Sequence, residues 1–222
     1  MKRQSGPFMT IIFACAAALA AMIAPASAPL AQGRPLRLVA LGDSLTAGYG
    51  LPQEAAFPVV LEAALRARGH KVEIVNAGVS GDTASGGLDR LDWSVPEGTD
   101  GVILELGAND MLRGLDPEAT RRSIEAIVTR LKTRGIPVLL AGMYASRNLG
   151  PDYVRRFDAI YRDIAEKHGL VLYPFFLEGV AGQRQLNLPD GIHPTAKGVE
   201  LIVDRIVPTV EAFLARLPAS GT

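Results

Sequence analysis

Leu36-Arg37-Leu38-Val39-Ala40-Leu41-Gly42-Asp43-Ser44-Leu45 decides how the chain is read. A short apolar run without strict polar alternation stops at Gly-Asp-Ser, the pattern of a strand covered on both faces that ends in a polar turn. Outward from it, similar runs lie at Val72–Asn76, Gly101–Leu106, Pro137–Met143 and Val171–Tyr173. Helical spacings separate them. Ile124, Ile127, Val128 and Leu131 repeat every three or four residues between the start signal Asp116-Pro117 and the stop Gly135. Tyr153, Phe157, Ile160, Tyr161 and Ile164 form a second stripe that ends near Gly169. Val199, Ile202, Val203, Ile206, Val210, Phe213 and Leu217 form a third, with a kink expected at Pro208. Pro58–Arg68 gives a fourth and Ser85–Leu91 a short fifth. Strand and helix in alternation predict an α/β fold, a parallel five-stranded sheet between two helical layers. Ligands of such sheets bind beyond the carboxyl ends of the strands, so the chemistry belongs in the turns that follow the runs.

The chain has 222 residues with 23 basic and 23 acidic side chains, and 48% of its residues are hydrophobic. Part of that apolar excess is Phe8–Ala24, broken only by Thr10, which follows Lys2 and Arg3 and leads into Ala24-Pro25-Ala26-Ser27-Ala28. A basic start, an apolar run and an A-x-A site together read as a secretory signal peptide. An uncleaved anchor is the alternative, but this alanine-rich run is shorter than the roughly 20 strongly apolar residues a spanning helix needs. Cleavage fits after Ala26 or Ala28, and the second would leave Pro29 first. The expected organisation is therefore a signal peptide over residues 1–26 and a single domain over 27–222. Such a protein is exported, periplasmic or secreted, without stable membrane insertion after cleavage. Without Lys2 and Arg3 the chain is weakly acidic and has no basic cluster, so nucleic acid is not an expected partner. Cys15, the only cysteine, lies inside the signal, where bulky Phe13 disfavours lipid attachment. The mature chain is then expected to lack disulfide and cysteine–metal chemistry.

Four blocks follow the strands. In Leu41-Gly42-Asp43-Ser44-Leu45 a strand-end serine can expose its hydroxyl and its own N–H on a tight turn. In Asn76-Ala77-Gly78-Val79-Ser80-Gly81-Asp82-Thr83 glycines free backbone N–H groups to face a ligand. In Leu106-Gly107-Ala108-Asn109-Asp110 the Asn109 amide can donate to a developing oxyanion. In Asp190-Gly191-Ile192-His193-Pro194 a carboxylate three residues before an imidazole can orient it. Alone, each also reads as ordinary structure: a helix cap, two turns and a solvent loop. His70 and His168 sit in a connection and at a helix end, which are poorer settings.

Together and in this order the blocks resemble the SGNH (GDSL-type) hydrolases, over essentially the whole chain from Leu36 to the last helix. Gly78–Thr83, Gly107–Gly114, Tyr173–Leu177 and Pro189–Pro194 look most like the periplasmic thioesterase I/lysophospholipase/arylesterase branch. Departures are minor, such as Ala108, where that family often has glycine. The resemblance implies a flavodoxin-like three-layer α/β/α sandwich and a serine esterase acting on carboxylic esters, with acyl thioesters and lysophospholipids as further small-molecule substrates. It implies Ser44 as nucleophile, His193 as base and Asp190 as its acid partner, with the N–H groups of Ser44 and Gly81 and the Asn109 amide as the oxyanion hole. Asp43 and Asp110 take scaffold roles. It implies no metal and no organic cofactor, and the sequence carries neither zinc-protease spacing nor a phosphate loop.

Two rivals remain at the sequence level: Ser80 as nucleophile, and a non-catalytic flavodoxin-like module that holds phosphate or flavin with Ser44, Thr46 and the Gly78–Gly81 loop. Substrate contacts are expected from Met111, Leu112 and Leu115 in a mobile apolar wall, and from Tyr144 at the start of Tyr144–Gly150. Both segments also read as plain covering loops.

Overall fold

The computed structural model describes Met1 and residues 34–218. All but the first residue of the expected signal peptide lies outside the described residues. From Leu36 onward the order is β1 (Leu36–Gly42), α1 (Ser44–Ala47), α2 (Phe57–Ala67), β2 (Val72–Gly78), α3 (Ala84–Asp89), α4 (Leu91–Ser94), β3 (Gly101–Glu105), α5 (Ala108–Leu112), α6 (Pro117–Thr133), β4 (Val138–Ala141), α7 (Pro151–His168), β5 (Val171–Tyr173) and α8 (Ala196–Leu214). The strands pair in parallel in the order β2-β1-β3-β4-β5. This is the flavodoxin-like order, and the five-stranded parallel sheet expected from the apolar runs is the one observed.

The order fixes the layers. Right-handed crossovers place α2, between β1 and β2, on one face, and α3, α6 and α7 on the other, because the chain reverses direction after β2. Packing follows that division: α2 lies against α8, while α6 lies against α3 and α7. β3 and β4 are buried at every residue because helices cover both faces. β2 differs, alternating at its start with Glu73 exposed, because it is an edge strand and only partly covered. The longer helices keep the signals read from sequence. Asp116 caps α6 by accepting from the Glu118 N–H, Pro117 opens it, and Gly169 closes α7 at φ 67°. α8 is continuous through Pro208. The expected fifth helix is two, α3 and α4, meeting at Arg90.

The strands end together at a topological switch point, where β1 has β2 on one side and β3 on the other. The chain leaves β3 through Gly107, whose φ of 115° favours glycine. A Cβ there would lie 2.1 Å from the Tyr161 hydroxyl, which donates to the Leu106 carbonyl at 2.8 Å. Tyr161, fully packed on α7, thus braces the turn that delivers Asn109. Gly107→Ala is expected to cost about 2–3 kcal/mol, from backbone strain and the displaced hydrogen bond. Calorimetry should show a melting temperature lower by roughly 5–10 °C.

Candidate active site

Ser44 is the first residue of α1, directly after β1. Asp43 caps this short helix, its carboxylate accepting from the Leu45 N–H at 2.9 Å, and Gly48 closes it at φ 82°. The turn is tight because Gly42 has no room for a side chain: a Cβ would meet Thr46 Oγ1 at 2.0 Å and Glu105 Oε2 at 2.7 Å. Ser44 is therefore held by both strand and helix.

His193 reaches it from the loop before α8. His193 Nε2 lies 2.8 Å from Ser44 Oγ, and His193 Nδ1 lies 2.7 Å from Asp190 Oδ2. The second oxygen of Asp190 accepts from the Ile192 and His193 N–H groups at 2.9 and 3.0 Å. Those two backbone donors, then the imidazole, pull the Asp190 carboxyl down to about 2. With a carboxylate at Nδ1, the tautomer carrying Nδ1–H leaves Nε2 to accept the serine hydroxyl. The loop is tied at its base, where Leu188 N donates to the His193 carbonyl at 2.7 Å and the Asn187 amide donates to the Val180 and Gln183 carbonyls. Ser80, by contrast, is exposed, and the imidazole meets Ser44 instead.

Asn109 shares the groove lining with Ser44. Among the described residues, neither the Ser44 nor the Gly81 N–H has a hydrogen-bond partner. Asn109 Nδ2 donates to Asp43 Oδ2 at 3.1 Å and to the Asp82 carbonyl at 2.9 Å. Sequence reading missed the residue that binds these segments together. Arg90 is buried, and its guanidinium donates to the Gly42 carbonyl, the Ala77 carbonyl, the Asp82 carboxylate and Ser94 Oγ. In the sequence Arg90 is one arginine of many, and only tertiary structure sets it beneath the first two blocks.

Three buried carboxyl groups lie under the site. Asp110 accepts from the Ala84 N–H and the Thr120 hydroxyl, joining α5 to α3 and α6. Asp43 is pushed up to about 6, chiefly by burial, against the opposing pull of the Leu45 N–H and the Asn109 amide. Glu105, at the end of β3, accepts from the Thr46 hydroxyl at 2.8 Å, while its Oε1 has no partner among the described residues. Burial and then the neighbouring Asp43 charge push Glu105 well above the usual carboxylate range. Burial thus works against ionisation of both groups, and more strongly for Glu105.

An apolar groove of about 450 Å³ opens from Ser44 and His193, within the usual size of a small-molecule site. Met111, Leu112 and Tyr144 line it, together with Leu45, Met143, Phe175, Leu177, Ala181 and Ile192. Leu115 does not. Its N–H closes a turn onto the Asp110 carbonyl, and its own carbonyl accepts from the Tyr153 hydroxyl, which takes it away from the groove. The wall segment is partly helical, α5 running to Leu112. Phe175 and Leu177 follow β5, and that strand-end position was the available signal for them.

A family model described as the GDSL-like Lipase/Acylhydrolase family matches residues 40–201. The chain belongs to that family. It is 35% identical over 178 residues to the esterase TesA of Pseudomonas aeruginosa, covering 80% of this chain and 89% of that one. It is 37% identical over 168 residues to thioesterase 1/protease 1/lysophospholipase L1 of Escherichia coli K12, covering 75% of this chain and 79% of that one. Among solved structures, the SGNH-hydrolase family esterase AlinE4 superposes with a TM-score of 0.69 at 46% identity, covering 84% of this chain and 99% of that one. The chain is thus an esterase of this family, and the flavin- or phosphate-binding module is not favoured: Asp190 and His193 converge on Ser44 as no phosphate loop requires.

The raised Glu105 and Asp43 carboxyls make a stability prediction. Above the ordinary carboxylate range the unfolded chain releases protons that the folded chain keeps, so stability declines as pH rises toward the folded values. Glu105→Gln removes one of these groups while its amide oxygen still accepts from Thr46. The variant should therefore gain melting temperature over the parent as pH is raised from 5 to 8, read by calorimetry. A constant difference across that range would mean that Glu105 is ionised in the fold.

Proposed function

We propose that the protein cleaves esters through an acyl-enzyme on Ser44, with His193 as general base, Asp190 as its orienting acid, and the Ser44 N–H, Gly81 N–H and Asn109 amide as oxyanion donors. The observation that carries this is the Ser44–His193–Asp190 hydrogen-bond chain at the mouth of an apolar groove. His193 Nε2 takes the hydroxyl proton as Ser44 Oγ attacks the carbonyl carbon, then returns it to the leaving alcohol. Water next attacks the acyl-enzyme, giving its proton to the same nitrogen, which passes it to Ser44 Oγ as that bond breaks and the acid is released. Asp190, with its depressed titration, stays charged throughout any working pH range and keeps the imidazole oriented. The oxyanion draws one Asn109 hydrogen away from its resting acceptors, Asp43 and Asp82.

The groove takes the acyl chain between Met111 and Leu112 on one side and Tyr144 and Phe175 on the other. The working substrates are small carboxylic esters with apolar acyl groups. Thioesters and lysophospholipids extend the range, as the name of the Escherichia coli relative suggests. The signal-peptide pattern of residues 1–26 supports export and a mature domain over 27–222, and an exported enzyme would rarely meet cytoplasmic acyl-CoA. Initial rates on a chain-length series of nitrophenyl esters, beside a lysophospholipid and an acyl-CoA, rank these substrates.

Two substitutions test the assignment. Ser44→Ala should abolish turnover at an unchanged melting temperature, and an organophosphonate should label the parent at Ser44 alone by peptide mass spectrometry. Labelling at Ser80 would overturn the nucleophile. Asn109→Ala should lower kcat more than it raises KM, because the oxyanion exists only in the transition state. A side-chain donor of this kind is worth about 10²–10³ in rate. A value near the lower end is expected, since Asn109 gives up a resting partner to act. Unaltered turnover by folded Asn109→Ala would remove it from the oxyanion hole.

A further inference from the structure

The mechanism above leaves one face of the base unaccounted for. In two successive steps His193 passes between neutral imidazole and imidazolium while holding its alignment between Asp190 and Ser44. The ring stands at the surface end of the site, its side chain 18% exposed. Asp190 meets it at one edge and Ser44 at the other. The charge of Asp43 acts from behind the nucleophile turn. None of these groups covers the face of the ring.

Tyr49 does. It follows the Gly48 cap of α1, and its N–H donates to the Ser44 carbonyl at 3.1 Å, so its position is set by the nucleophile turn itself. Its ring centroid lies 4.4 Å from that of His193, with the planes inclined by 37°. The next residue, Gly50 at φ 74°, lies so close to Leu188 that a Cβ would stand 2.8 Å from Leu188 Cδ1. The Tyr49-Gly50 turn is therefore packed on the loop that carries Asp190 and His193, independently of the serine–imidazole hydrogen bond. Tyr49 is nevertheless 52% exposed and does not line the acyl groove.

We propose that Tyr49 is a positioning residue for the general base: its ring holds the His193 imidazole in line with Ser44 and Asp190 and stabilises the imidazolium that forms in each half-reaction. This rests on the assignment of His193 as base. Two physical effects act in the same direction. The negative face of an aromatic ring attracts a cation within about 6 Å of its centroid, and the imidazole lies well inside that range. The same ring blocks rotation of the imidazole toward solvent, and lost alignment of a catalytic group costs rate directly. Both effects need the ring and neither needs the phenolic hydroxyl.

The sign of the pH effect follows. A ring that favours the imidazolium raises the pH at which the base is lost to protonation, and removing it lowers that pH. The groups that face the imidazole, Asp190, Asp43 and the Ser44 hydroxyl, remain in place in every Tyr49 variant.

The test compares Tyr49→Leu and Tyr49→Phe with the parent in the full chain, measuring kcat and KM for a nitrophenyl ester across the acid limb. Melting temperatures are recorded for each, and exposure of the side chain makes a folding defect an unlooked-for outcome in either variant. Leucine keeps an apolar cover but no ring. It should lower kcat by about two- to fivefold with KM unchanged, and move the acid limb down by about half a pH unit. Phenylalanine, which keeps the ring, should restore both the rate and the limb. The proposal is overturned if Tyr49→Leu matches the parent in both, if KM rises at constant kcat (the ring then binds substrate), or if phenylalanine falls as far as leucine. His193→Ala in the same assays separates this from failure of the underlying assignment. Near-parent turnover by His193→Ala would remove His193 as base, whereas its inactivity beside an unaffected Tyr49→Leu would remove Tyr49 alone.

Discussion

The guanidinium of Arg90 is the interaction on which the site depends. It reaches the end of β1 at the Gly42 carbonyl, the end of β2 at the Ala77 carbonyl, and the Asp82 carboxylate at 2.5 Å. A buried arginine is tolerable only when its donors are satisfied, and breaking one partner of such a set is far more costly than the set is worth as a stabiliser. The cost enforces geometry. Because Arg90 must find these acceptors, the Gly42–Ser44 turn and the Gly78–Asp82 loop cannot drift apart. The Asp82 carbonyl in turn accepts from Asn109, so the third segment is registered against the other two. Three chain segments far apart in sequence are thus tied into one hydrogen-bonded layer.

Under this layer the protein keeps three carboxyl groups nearly out of water. Asp110 and Asp43 are satisfied by backbone and side-chain donors, and each orders the start of a helix or turn. Glu105 is different, since one oxygen has no partner and its burial works against ionisation. Polar groups of this kind lower stability relative to an apolar core of the same shape. They specify one arrangement of the strand ends, which an apolar filling would leave free to slide. Stability spent beneath a site to hold its geometry is a common feature of enzymes.

The proposed oxyanion donors differ in their hydrogen bonding. The Ser44 and Gly81 N–H groups have no partner among the described residues. Asn109 is held in orientation by Asp43 and the Asp82 carbonyl, so its proposed contribution is an exchange of acceptors. On the outer side, the groove walls come largely from the segments after β3, β4 and β5. On the proposed mechanism the chemistry belongs to the strand ends around β1 and substrate choice to the neighbouring connections.

By itself the sequence determined the strands, the layers and the four polar blocks. The runs around Val39, Ile103 and Leu139 are apolar on both faces, which only a covered parallel sheet accommodates, and the stripes of α6, α7 and α8 keep helical spacing with their caps in place. Ser44, Asn109, Asp190 and His193 were legible because each stands where a strand or loop must end, and Asp190 and His193 are close enough in sequence to meet locally. The short helices α1 and α5 were not, since four or five residues carry no periodicity. Tertiary structure alone decided the rest. Arg90 acquires its role by lying beneath two strand ends, Tyr49 by facing a histidine far along the chain, and Glu105 by the absence of water around it. Leu115 left the groove for the same reason: a turn closed by Asp110 redirected it, and sequence proximity to Met111 and Leu112 says nothing of the direction a turn takes. Local hydrogen bonding and hydrophobic period are written in neighbouring residues, whereas burial, charge pairing and facing direction arise only when distant segments pack.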